Sequence, residues 1–97
     1  MTREYEIIKG DVEITSELNM NGMFLGNVTI KDGGYLVLNG MAKKSLVVEY
    51  GAVVEIPGMV TGDVINNGGN LSISGMVCGQ VIENEGTTNI TENASIG

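Results

Sequence analysis

The dipeptide Gly-Met recurs at Gly22-Met23, Gly40-Met41, Gly58-Met59 and Gly75-Met76, in steps of 18, 18 and 17 residues. Each copy follows an alternating apolar segment: Leu18-Asn19-Met20-Asn21, Leu36-Val37-Leu38-Asn39, Val54-Glu55-Ile56-Pro57 and Leu71-Ser72-Ile73-Ser74. Each precedes x-x-Gly-x-apolar, as in Phe24-Leu25-Gly26-Asn27-Val28, Val60-Thr61-Gly62-Asp63-Val64 and Val77-Cys78-Gly79-Gln80-Val81, with Lys44 replacing Gly in the second copy. A fixed internal period marks a repeat architecture, and this one is too short for ankyrin, tetratricopeptide or propeller units. It suits one coil of a β-solenoid: about three short strands joined by tight corners, stacked at the inter-strand spacing of ~4.8 Å. No 3.6-residue apolar period persists, and Gly, Asn, Thr and Val disfavour helix. The expected fold is all-β, a single-stranded β-helix of about 4–5 coils of 17–18 residues. One domain covers residues 1–97, with 1–9 as an N-terminal cap or first strand and 91–97 as a C-terminal tail.

Side chains alternate across a strand, so parity can be followed through each coil. One parity collects Leu18, Met20, Gly22, Phe24, Gly26 and Val28, and then Leu36, Leu38, Gly40, Ala42, Lys44 and Leu46. It continues through Val54, Ile56, Gly58, Val60, Gly62 and Val64, and ends with Leu71, Ile73, Gly75, Val77, Gly79 and Val81. These positions are expected to form the core, with Lys44 at a corner where its ammonium reaches water. The inward glycines Gly22, Gly26, Gly40, Gly58, Gly62, Gly75 and Gly79 fit sharp bends of a narrow coil. The alternation must reset at Lys31-Asp32-Gly33-Gly34, at Glu49-Tyr50-Gly51-Ala52, along Ile65 to Asn70 and near Asn84-Glu85-Gly86, all rich in turn residues.

The opposite parity places Met23, Met41, Met59 and Met76 in one outward column. Leu25, Lys43, Thr61 and Cys78 stand beside it, and Val47, Ile65 and Ile82 point the same way further along. An exposed apolar stripe marks an interface, and Met suits adaptable contacts. Met23, Met41, Met59, Met76, Leu25, Ile65 and Ile82 are therefore the candidate interface. If the alternation slips at the Gly corner, the methionines join the core instead.

Composition narrows the chemistry. With no His and one Cys, a zinc site built from those residues, a His-dependent triad and an internal disulfide are all excluded. Asp11 with Glu13, and Glu83 with Glu85, share strand faces as solvated carboxylate pairs, and no apolar pocket is implied to shift their pKa values. Cys78 has no His to activate it. The glycine stretches lack the Lys-Ser/Thr of a phosphate loop and the spacing of a calcium repeat. No enzyme activity, metal or cofactor is expected. The formal charge of −7 disfavours nucleic acid and anionic lipid as partners. The polar start, Met1-Thr2-Arg3-Glu4-Tyr5-Glu6, reads as neither a secretory signal nor a span, so a cytoplasmic protein without direct membrane insertion is expected. The Asn-x-Ser/Thr triplets at Asn27, Asn70, Asn89 and Asn93 are then products of turn-strand composition.

The segments Gly58-Met59-Val60-Thr61-Gly62-Asp63-Val64 and Gly75-Met76-Val77-Cys78-Gly79-Gln80-Val81, with strands such as Leu71-Ser72-Ile73-Ser74, resemble the bactofilin family over roughly Gly10 to Ile90. The resemblance implies a right-handed triangular β-helix and a bacterial cytoskeletal protein that assembles end to end into nucleotide-independent filaments. It implies no membrane tail here, since Arg3-Glu4-Tyr5-Glu6 is charged where some family members are apolar.

The end coils of any solenoid expose unpaired backbone groups over apolar layers. Met1–Lys9 could cap the first coil, with Tyr5 and Ile7 closing its cross-section. The polar tail from Thr91 caps weakly, which makes the C-terminal end the stickier one. Two functions follow. The first is a scaffold that self-associates through its ends or its Met stripe. The alternative is a small acidic binding module, such as an immunity protein that neutralises a basic toxin or enzyme, with charge steering the encounter.

Overall fold

The structure, a computed structural model, describes the backbone of Thr2–Glu4 and the whole of residues 7–97. It contains strands β1 (Thr2–Glu4), β2 (Ile7–Ile8), β3 (Val12–Ile14), β4 (Glu17–Met20), β5 (Met23–Phe24), β6 (Val28–Ile30), β7 (Tyr35–Leu38) and β8 (Met41–Ala42). They continue with β9 (Leu46–Val48), β10 (Val53–Ile56), β11 (Met59–Val60), β12 (Val64–Ile73), β13 (Met76–Val77), β14 (Val81–Ile90) and β15 (Ser95–Ile96). There is no helix among the described residues. Every strand pair is parallel, and each strand stacks on the one a coil earlier: Leu18 on Leu36, Leu36 on Val54, Val54 on Leu71. The chain is a β-solenoid.

Three strand columns run along the stack. The first holds β1, β4, β7, β10, the second half of β12 and the second half of β14. The second holds β2, β5, β8, β11, β13 and β15. The third holds β3, β6, β9 and the first halves of β12 and β14. This makes five complete turns and the start of a sixth. Three faces per turn give a triangular cross-section. The coil begins before Gly10, because β1 pairs with β4 and β2 with β5.

The core is a set of stacked apolar layers, in which burial contributes ~25 cal/mol per Å² of apolar surface. Val28, Leu36, Leu38, Leu46, Val54, Ile56, Val60, Val64, Leu71, Ile73 and Val77 are fully buried, with Met20, Phe24 and Ala42. Leu18 and Val81 are half-buried and pack against this core. No strand of the described residues stacks above Val81 on its column. Lys44 is exposed at a bend.

Several sequence expectations need correction. The stretch Ile65 to Asn70 is not a plain turn. β12 runs through it as one strand, with register shifts between Asn66 and Asn67 and between Asn67 and Asn70. Such bulges let a strand turn a corner while staying paired. A similar irregularity separates Glu83 from Glu85. Glu83 pairs with buried Asn66 and Glu85 with Asn67, so the two carboxylates do not share a face. Within the C-terminal tail of residues 91–97, Ser95 and Ile96 stack on Met76 and Val77, and Ala94 packs against the core. Ile7 does not close the first coil. Its register with Met23 turns it outward at 58% exposure, while Ile8, in register with Phe24, packs inward. Tyr5 lies outside the described residues.

Candidate functional site

At the corner between the first and second columns, Gly22, Gly40, Gly58 and Gly75 form a ladder. The carbonyl of Gly22 accepts the amide of Met41 (3.1 Å), that of Gly40 accepts Met59 (3.0 Å), and that of Gly58 accepts Met76 (2.9 Å). These bonds draw each coil onto the last. A Cβ on Gly58 would run into the carbonyl oxygen of Gly40 and lie 2.7 Å from that of Asn39. The need for glycine is therefore set by the neighbouring coil's backbone rather than by a narrow coil interior. The corners at Gly26, Gly62 and Gly79 are crowded in the same way by Gly10, Lys44 and Gly62.

Without side chains at these corners, the surface sinks into an open groove of about 590 Å³ that runs along the stack. Its floor is the glycine ladder. Met41, Met59 and Met76 form one wall, Asn39 and Pro57 the other, and Asn93 and Ser95 lie at its C-terminal end. The methionines are held at equal height steps by strand register: Met23 with Met41, Met41 with Met59, Met59 with Met76. Their neighbours Phe24, Ala42, Val60 and Val77 are buried, so the methionines stand on the outer face, half-buried except for Met76 at 41% exposure. Among the described residues no titratable group lines the groove, and its walls suit an apolar surface.

The remaining candidates separate in space. Leu25 is half-buried just past β5, beside the Met column, in line with exposed Lys43, Thr61 and Cys78. Ile65 and Ile82 stand in register on the third column instead, across a corner. The single stripe expected from alternation is thus two surfaces on two faces, because a triangular coil turns between them. Among the described residues the second column's strands carry no Asp or Glu. Asp11, Glu13, Asp63, Glu83 and Glu85 lie on or beside the third column, and Glu17 and Glu55 on the first.

Two polar systems escaped the sequence reading. Asp11 Oδ1 accepts the Asn27 amide (2.8 Å), Asn27 Oδ1 the Ser45 amide (3.3 Å), and Asp63 Oδ1 the Gln80 amide (2.8 Å). Asp11 is therefore a coil-to-coil backbone cap, and Glu13 pairs with Lys31 at 3.3 Å. The signal was present in Gly10-Asp11-Val12, Gly26-Asn27-Val28 and Gly62-Asp63-Val64, a shared Gly-Asx-Val at one register. Asn66 is the second. It is fully buried in the column that holds Ile14, Ile30 and Val48 below it. Its Oδ1 accepts the amides of Gly68 (3.1 Å) and Gly69 (2.9 Å), and its Nδ2 donates to the carbonyls of Gly69 and Thr87 and to Thr88 Oγ1. On the first column, Tyr35 Oη donates to Glu55 Oε2 from the next coil.

At the C-terminal end of the stack, Ile90 pairs with Ile73 and Ile96 with Val77, so both continue inward columns. Yet they are 46% and 40% exposed, since no strand of the described residues lies over them. No group of three or more potential metal ligands occurs among the described residues, and no helix there is long and apolar enough to cross a membrane. Comparison with protein-family models, with curated proteins and with solved structures finds no match for this chain.

Proposed function

We propose that the chain is a structural protein that self-associates by stacking its end coils, as the resemblance to bactofilins implies, and that its role is binding rather than catalysis. The observation that carries this is the end formed by β14 and β15. Ile90 and Ile96 lie over the buried Ile73 and Val77, and the outer edges of both strands are unpaired among the described residues. Unpaired edges over apolar side chains template another chain, and a second solenoid offers both the matching strand spacing and the matching apolar layers. Negative-stain microscopy and light scattering over a concentration series test this. Filaments or large particles are expected. A species that stays monomeric or dimeric at every concentration overturns end stacking.

The runner-up is capture of a basic protein partner, supported by the carboxylates Glu13, Asp32, Glu49, Glu83 and Glu85 on and around the third column. It predicts a stable small particle that binds cationic proteins, weakening as salt rises.

A further inference from the structure

We propose that the methionine-walled groove binds a second copy of this chain, side by side and parallel, with each Met column seated in the glycine trough of the other. This rests on the self-association reading above but uses a different surface from the coil ends.

The surface is self-complementary. A ridge (Met23, Met41, Met59 and Met76) and a trough (Gly22, Gly40, Gly58 and Gly75) lie next to each other with the same repeat. A two-fold axis parallel to the stack, placed between them, carries the ridge of one copy onto the trough of the other. Such an isologous contact closes after two copies. The repeat favours this occupant over others. Ridge residues recur at the inter-strand spacing of ~4.8 Å, so a second solenoid engages all of its coils at once.

Charge points to the same partner. Two copies of a −7 chain repel each other wherever carboxylates meet. Among the described residues the groove is lined only by Gly, Met, Asn, Pro and Ser, so the lining they provide brings no like charges together. The thioether side chains can adjust to the trough at low cost.

The contact is short. Four ridge levels span only about 15 Å, too short a strip to cover the ~800 Å² per partner of a standard stable interface. Pairing is therefore weak for single molecules and strengthens as coils stack end to end, because every added copy adds another stretch of the same contact. The two-fold axis leaves both ends of each solenoid free, so the two contacts coexist.

Four variants separate the two contacts: an end variant (Ile90→Asp with Ile96→Asp), a groove variant (Met41→Lys with Met59→Lys), a conservative groove variant (Met41→Leu with Met59→Leu), and the end and Lys changes combined. Each is checked for folding by circular dichroism, then followed by sedimentation velocity and negative-stain microscopy. The expected results are paired filaments for the unaltered chain and the Leu variant, and single-width filaments for the Lys variant. The end variant should form a dimer at high concentration, and adding the Lys changes should weaken it more than roughly tenfold. Filaments of the same width in the unaltered and Lys forms, with a strictly monomeric end variant, overturn the pairing and leave end stacking intact. A dimer that never grows but is lost in the Lys variant overturns end stacking and keeps the pairing. A monomer throughout overturns both.

Discussion

Single residues decide how closely the coils approach. At Gly58 a methyl group would press into the backbone of Asn39 and Gly40 in the coil below, at the point where two coils share a hydrogen bond. Gly58→Ala is expected to destabilise the fold by about 1–3 kcal/mol, the usual cost of overpacking a tight site, read by urea denaturation. Asn66 acts in the opposite sense. Its side chain fills a core position and answers the amides of half-buried Gly68 and buried Gly69. Asn66→Ala leaves those donors without a partner and should cost about 2–3 kcal/mol by the same measurement. A near-neutral Asn66→Ala would mean that the corner refolds around the loss. At Tyr35 the Glu55 carboxylate raises the phenol pKa above its ordinary 10.0, first by accepting its hydrogen bond and then by its charge. The neutral phenol is the favoured form. The contact therefore contributes in full below the ordinary value and is lost as pH rises through the raised one. In a spectrophotometric titration, assigned by subtracting Tyr35→Phe, Glu55→Gln should bring the Tyr35 transition down.

At the level of strands, alternation is the strongest signal, and it was legible. Leu71-Ser72-Ile73-Ser74 reads in-out-in-out from the sequence, and β12 carries it that way, with Leu71 and Ile73 buried. Val60 lies between two such strands, fully buried beside exposed Thr61. Val60→Asp places an unpaired charge among apolar layers at a cost of several kcal/mol, comparable to the ~5–15 kcal/mol of a whole domain. The variant should show no cooperative unfolding transition, and a folded Val60→Asp would mean that this layer is not the core. Alternation was misleading where strands turn a corner. Counting by twos joined Ile65 and Ile82 to the Met column, although the coil bends at Thr61-Gly62 between Met59 and Ile65. It also gave Glu83 and Glu85 one face, where the pairing of β12 with β14 shifts register, and pairing with the next coil, absent from any local window, decides where the count restarts. Asn66 was unreadable for the same reason. Between Ile65 and Asn67 it looks like turn chemistry, and only its stacking on Val48 shows it to be a core residue.

For the molecule as a whole, charge sets how readily copies approach. At −7 the chain repels itself, and the repulsion is screened as the Debye length falls to ~8 Å near physiological salt. Self-association through apolar ends and a neutral groove should therefore increase with ionic strength, seen as rising light scattering between low and high salt. Loss of association with salt would instead point to contacts held by ion pairs. What the sequence by itself determined is the solenoid, the length of its coil and the inward set, because a fixed period and a strict alternation are properties of the chain alone. Only the tertiary structure decided which outward residues share a face, why the corner glycines are required, and what Asp11 and Asn66 do. Each of these depends on the coil stacked one period away, whose backbone carbonyls and amides meet a side chain only once the turns have closed upon each other.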